Sequence, residues 1–180
     1  MTRLFTAINP PAEVAEQLAG ITPQLPGLRA LRPRDLHITL HFIGEAETTR
    51  VAQALEAVAV PAFALSVAGV AQVPITSGGF VLWASVGESA GLLALHVAMA
   101  AALAPLGFRP EARRYAPHIT LAYCDPDTPA EPVAQFLAQH AGLSLPGLPA
   151  THFGLYSSTT ASDSSPNYQC ERLFVLGAGG

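Results

Sequence analysis

The chain has 180 residues, half of them hydrophobic and only 12 % charged, with a net charge of −4. That length suits one compact domain or two small lobes sharing a cleft, and the apolar content is ample for a buried core. The acidic balance argues against a general polyanion binder, which would carry an overall basic surface.

In chain order, Leu4 to Ile8 is a short apolar run that reads as a strand. Asn9-Pro10 follows as a helix cap with proline at the first helical position, opening a helix to about Ala19. Leu36 to Ile43 alternates between Arg-Pro-Arg-Asp and Gly44, the pattern of a half-buried strand. Thr48 or Thr49 is expected to cap a helix reaching about Val58. Phe63 to Val73 is β-like with a break near Gly69, and Ser77-Gly78-Gly79 turns into a strand from Phe80 to Val86. Ser89 is expected to cap an Ala-rich helix that ends near Pro105-Leu106-Gly107. His118 to Tyr123 reads as a strand, and Thr128-Pro129-Ala130-Glu131 has the spacing of a capping box opening a helix to about His140. Strands are expected near Leu143 to Tyr156 and Arg172 to Leu176, with the polar stretch from Ser157 to Tyr168 as a loop.

The longest apolar stretch, Leu92 to Phe108, carries His96 and ends in Pro105 and Gly107. It falls short of the uninterrupted span of about 20 residues that a membrane helix needs, so a buried helix and no membrane association are expected. The N-terminal apolar run is broken by Asn9-Pro10-Pro11, too short for a secretory signal. Cys124 and Cys170 have neither metal-ligand nor redox spacing, and a reduced, cytoplasmic protein is expected.

The tetrapeptide His-Ile-Thr-Leu occurs twice, at His37-Ile38-Thr39-Leu40 and at His118-Ile119-Thr120-Leu121, 81 residues apart in a chain of 180. Leu4-Phe5-Thr6-Ala7 aligns with Val81-Leu82-Trp83-Ala84 at a similar offset, and the order of strand, helix and motif strand recurs. The reading is a duplicated α+β fold: two lobes, each a small antiparallel sheet with helices outside, facing a central cleft within one domain spanning residues 1–180. On a strand, side chains alternate. His37 and Thr39 then share one face, as do His118 and Thr120, while the Ile and Leu residues turn into the core. The rise of about 3.3 Å per residue sets His and Thr about 6.6 Å apart, so both reach different oxygens of one phosphate.

Two histidines across a cleft divide acid and base work near neutrality, and the threonines hold the anion. Cations stand close by. All nine basic residues are Arg, and six lie just upstream of the motifs: Arg29, Arg32 and Arg34, then Arg109, Arg113 and Arg114. Guanidinium forks suit bidentate phosphate recognition, so these clusters point to a local anion site inside an acidic protein. The constellation suits phosphodiester cleavage with in-line attack and needs no metal or cofactor. The competing reading is a zinc site, because His41 lies four residues after His37. On a strand those two stand roughly 13 Å apart, and no acidic or Cys ligand set lies near. By strict alternation His41 falls on the His37 face. His96 reads as a packing position, His140 as a helix C-terminal cation, and His152 has no evident partner.

At these residues the chain resembles the two-histidine (2H) phosphoesterases, whose signature is a pair of His-x-Thr-x motifs, and in particular the bacterial RNA 2′,3′-cyclic phosphodiesterases, also called 2′-5′ RNA ligases. The similarity runs nearly end to end, through Arg3-Leu4-Phe5, Leu36 to Glu45, Val81-Leu82-Trp83, Leu103 to Phe108, Pro117 to Ala122 and Leu155-Tyr156-Ser157-Ser158. It implies a bilobal fold and hydrolysis of a 2′,3′-cyclic phosphate to the 2′-phosphate, with weak reverse ligation, acting on RNA ends or cyclic nucleotides. It makes His37 and His118 the catalytic pair, with Thr39 and Thr120 at the phosphate. The subgroup commonly carries Arg shortly after the second motif, where this chain has Tyr123, and a basic residue before Pro117, where it has Ala116; either Arg34, Arg113 or Arg114 substitutes in neutralising the phosphate, or the substrate preference has shifted. A nucleobase wants an aromatic platform, for which Phe42, Trp83 and Tyr123, with Tyr115, Tyr156 and Tyr168, are candidates. The alternatives are an RNA-end binding module without turnover, or a phosphodiesterase acting on ADP-ribose 1″,2″-cyclic phosphate or 2′-5′ oligonucleotides. A monomer is expected.

Overall fold

The computed structural model describes residues 1–160 and 166–177. Its strands are β1 (Thr2–Ile8), β2 (Leu28–Ala30), β3 (Ile38–Ala46), β4 (Phe63–Pro74), β5 (Phe80–Val86), β6 (His118–Cys124), β7 (Ser144–Ala150), β8 (His152–Thr160) and β9 (Pro166–Val175). The helices are α1 (Ala12–Ile21), α2 (Thr48–Leu55), α3 (Ala90–Leu103) and α4 (Ala130–Gln139). The strands form one curled antiparallel sheet in the order β7-β4-β5-β6-β3-β1-β8-β9, with β2 lying against β6. The expected mixed architecture of antiparallel sheet and outer helices is the one observed.

The motif strands β3 and β6 sit at the centre and meet through the single pair Ile38↔Ile119. That rung divides the sheet into two halves, one per motif, and both residues are buried at 2 % and 0 % exposure. Inward side chains of the sheet join Leu18 of α1, Val51 and Leu55 of α2, Leu95 and Met99 of α3, and Val133 and Phe136 of α4 in one continuous core. No helix among the described residues is long and apolar enough to cross a membrane.

The halves exchange strands. After α2 the chain leaves the first half, and β4 pairs with β5 in the second; after β7 it returns, and β8 pairs with β1. The strand structure expected near Leu143 to Tyr156 is two strands in opposite halves of the sheet, separated at Thr151. The first of them, β7, contains Pro146, Gly147 and Pro149 and occupies an outer edge, where a residue lacking an N–H is tolerated.

Four local expectations are corrected. Asn9 does not cap α1, whose N-cap is Pro11; its amide instead donates to the Leu36 carbonyl (3.2 Å). Thr48 is the first residue of α2, not its cap, and the Thr128 box does not close: α4 is capped by Pro129, and Thr128 Oγ1 is buried without a hydrogen bond among the described residues. The polar stretch Ser157 to Tyr168 is not all loop: β8 runs to Thr160 and β9 starts at Pro166, while residues 161–165 lie outside the described ones. Ser89 does cap α3, accepting from the Leu92 N–H (3.2 Å), and His140 stands at the C-terminus of α4.

Candidate active site

Each motif strand carries a β-bulge at the same place. Thr6 pairs with His41 and Ala7 with Thr39, leaving Leu40 as the extra residue; Leu82 pairs with Ala122 and Trp83 with Thr120, leaving Leu121. An extra residue reverses the alternation of side chains beyond it. Up to the bulge the expected pattern holds: Ile38, Leu40, Ile119 and Leu121 are at most 3 % exposed, whereas His37, Thr39, His118 and Thr120 are only partly covered. Beyond it the pattern flips. His41, expected beside His37, is buried at 4 % exposure against α3, where it stacks on His96 at 4.0 Å. The residue five after each motif histidine, Phe42 in one copy and Tyr123 in the other, comes round to the histidine side. Phe42 is 61 % exposed and packs near Phe5 at 6.3 Å, and Tyr123 reaches the Tyr168 hydroxyl. His37 and His41 thus diverge, and the zinc spacing does not converge on one ion.

The two catalytic candidates are held alike. His37 Nδ1 lies 2.7 Å from the Asp35 carbonyl, and His118 Nδ1 lies 2.8 Å from the Ala116 carbonyl, in each case two residues back. A carbonyl oxygen only accepts, so Nδ1 carries the hydrogen and Nε2 is left with a free lone pair. Each ring also rests on aromatic side chains. His118 stacks on Trp83 at 3.9 Å, while His37 lies between Phe5 at 5.1 Å and the edge of Tyr168 at 5.0 Å. Trp83 therefore spends a face on supporting His118. The turn before His37, Pro33–Asp35, is clasped by the Arg32–Asp35 ion pair at 2.5 Å.

Burial lowers the pKa of both histidines. For His37 the Asp35 carbonyl opposes that shift, the charge of His118 adds to it, and the Asp35 carboxylate opposes it. For His118 the Ala116 carbonyl opposes burial, and Arg113 lowers the pKa further. The influence of His118 on His37 follows from the Ile38↔Ile119 rung, which sets the motifs side by side.

A cavity of about 220 Å³ opens beside His37, lined by Phe5, Asn9, Arg34, Tyr156, Tyr168 and Cys170. Of the three candidate cations, Arg34 lies here, and it makes no ion pair among the described residues. Arg113 is exposed and paired with Glu111 at 2.5 Å, close enough to His118 to affect its pKa, and Arg114 is exposed. Tyr156 donates to Asn9 Oδ1, and burial pushes its phenol up to about 12. Both cysteines are free thiols; Cys124 is buried and Cys170 faces the cavity. Sequence reasoning missed Phe5, Asn9 and Cys170. Phe5 reads as core in a short apolar run, Asn9 as a cap, and Cys170 reaches the site only through the β8–β9 pairing that carries Tyr156 and Tyr168. The one available signal was Asn9-Pro10, a polar residue ending an apolar strand.

The family model described as the 2′-5′ RNA ligase superfamily matches residues 10–159, a span that includes both motifs. The RNA 2′,3′-cyclic phosphodiesterase of Archaeoglobus fulgidus is 28 % identical over 178 residues, covering 96 % of this chain and 99 % of its own. Among solved structures, TT0787 of Thermus thermophilus superposes with a TM-score of 0.76 at 25 % identity, covering 99 % of this chain and 100 % of that one. E. coli LigT complexed with 3′-AMP superposes with a TM-score of 0.69 at 25 % identity, covering 97 % and 98 %. The likeness thus extends over both halves rather than a single motif.

Proposed function

Since the chain belongs to the 2′-5′ RNA ligase superfamily, we propose that it is a metal-independent phosphodiesterase that opens 2′,3′-cyclic phosphates on RNA ends or nucleotides to the 2′-phosphate. The observation that carries this reading is the matched pair of imidazoles, each donating from Nδ1 to a carbonyl and presenting Nε2. A binding module needs neither a base nor an acid; two lone pairs aimed from adjacent strands supply both. The similarity to an RNA 2′,3′-cyclic phosphodiesterase over nearly the full length of both chains supports the same substrate class.

In this reading His118 Nε2 takes a proton from water as its oxygen attacks phosphorus. His37, protonated at Nε2, gives its proton to the departing 3′-oxygen; the P–O3′ bond breaks and the 2′-phosphate remains. Both imidazoles resist protonation in the free enzyme, and a bound phosphate anion favours the imidazolium form, so substrate brings the acid into its working state. The Thr39 and Thr120 hydroxyls and the Arg34 guanidinium stabilise the non-bridging oxygens as charge builds. Nearby Phe42, Tyr123 and Tyr168 offer ring surface to a base. The protein works as a single-domain monomer with one cleft between its halves, in the cytoplasm, and runs the reverse 2′-5′ ligation weakly.

Turnover of 2′,3′-cyclic nucleotides, ADP-ribose 1″,2″-cyclic phosphate and 2′-5′ oligonucleotides, compared side by side in EDTA, tests the substrate class. The expected result is highest kcat/KM on the 2′,3′-cyclic phosphate with 2′-phosphate as product; preference for either other substrate would replace this reading. A 3′-thio substrate, whose leaving group needs no acid, is expected to rescue His37→Ala but not His118→Ala, and the opposite pattern reverses the roles.

A further inference from the structure

The core side of the first motif carries a column of rings that the reaction does not use. Tyr115 lies flat on His96 (4.0 Å, 10°), and His96 lies flat on His41 (4.0 Å, 17°). Each of the three rings makes one hydrogen bond to a backbone carbonyl. His41 Nε2 donates to the His96 carbonyl (2.8 Å), His96 Nδ1 to the Leu40 carbonyl (3.1 Å), and the Tyr115 hydroxyl to the Thr39 carbonyl (2.9 Å). Leu40 is the bulge residue of β3, and Thr39 is its neighbour and the anion-holding residue of the first motif.

A bulge leaves its extra residue out of the ladder, and its buried carbonyl needs another donor. The second copy solves this with backbone: the Leu121 carbonyl accepts from the Leu31 N–H (2.8 Å). Ala122 stands there in place of His41, so that copy cannot build the same column. In the first copy side chains do the work, His96 at the Leu40 carbonyl and Tyr115 at the Thr39 carbonyl, and both arrive from the second half of the chain. Tyr115 precedes His118 by three residues, so its hydroxyl joins the approach to the second histidine to the peptide of the first threonine.

We propose that Tyr115 is a positioning residue for Thr39: its hydroxyl, aimed by the stack on His96, fixes the Thr39 peptide at the bulge and so sets where the Thr39 side chain meets the substrate phosphate. This rests on the phosphodiesterase reading above. Tyr115 touches no reacting atom. Burial raises its pKa, which keeps the hydroxyl a donor at working pH.

The test is a pair of double-mutant cycles on kcat/KM for 2′,3′-cyclic AMP, with a thermal melt to confirm that each variant folds. Tyr115→Phe removes one oxygen and is expected to lower kcat/KM about three- to tenfold, the size of one hydrogen bond. Combined with Thr39→Ala it adds little to the loss from Thr39→Ala alone, whereas with Thr120→Ala the two losses multiply. Wild-type rates in Tyr115→Phe, or the same combination rule with both threonines, would overturn the proposal. An inactive wild type would instead defeat the phosphodiesterase reading, so the two failures are distinguishable.

Discussion

At the scale of single residues, the working state of His37 and His118 is set by burial against aromatic neighbours and by carbonyls two residues back. Both pKa values lie below the ordinary 6.5. A base must be neutral and an acid protonated, so the bell-shaped profile of kcat/KM is centred between the two free-enzyme values, hence below about 6.5. Stopped-time assays across that range check this, and a maximum at alkaline pH would contradict it. The phosphate cation is a second residue-scale question. Arg34 lines the cavity beside His37 without an ion-pair partner among the described residues, while Arg113 is neutralised by Glu111 in solvent. Arg34→Ala is therefore expected to raise KM roughly tenfold, the scale of one charge-assisted contact, with Arg113→Ala and Arg114→Ala near wild type. Unchanged KM in all three variants would remove Arg from the site.

At the scale of elements, the motif strands were legible because the face carrying His and Thr alternates with buried Ile and Leu. What lay hidden was the bulge. One extra residue at Leu40 or Leu121 leaves no mark in composition, since Leu suits either face, yet it sends His41 into the core and brings Phe42 and Tyr123 to the side of the motif histidines. Strand exchange was hidden for a different reason: which strand pairs with β1 is decided by tertiary packing, not by local pattern. The stack of buried His41 on half-buried His96 between β3 and α3 also has a consequence for stability. Burial lowers both pKa values, so the unfolded chain binds protons near 6.5 while the folded one still refuses them. Their contribution is fully present above about 6.5 and is lost as pH falls through the folded-state values. The urea midpoint is expected to drop between about pH 7.5 and pH 5.5, with a smaller drop in His96→Gln. A midpoint that rises on acidification would contradict the sign.

At the scale of the whole molecule, two half-sheets share one core, and their motif strands pair at Ile38↔Ile119. Ile119→Ala opens a void at that joint, and the expected loss is about 2–5 kcal/mol with a single cooperative transition in thermal unfolding. Two separate transitions would mean that the halves fold independently. Each half brings one histidine and one threonine to that joint, so the proposed in-line chemistry needs both halves. The decisive measurement is kcat/KM on a 2′,3′-cyclic nucleotide in EDTA for the wild type, His37→Ala and His118→Ala. The account predicts metal-free formation of the 2′-phosphate by the wild type and a loss of about a hundredfold or more in each variant; an inactive or metal-requiring wild type, or a variant that keeps near-wild-type turnover, would contradict it.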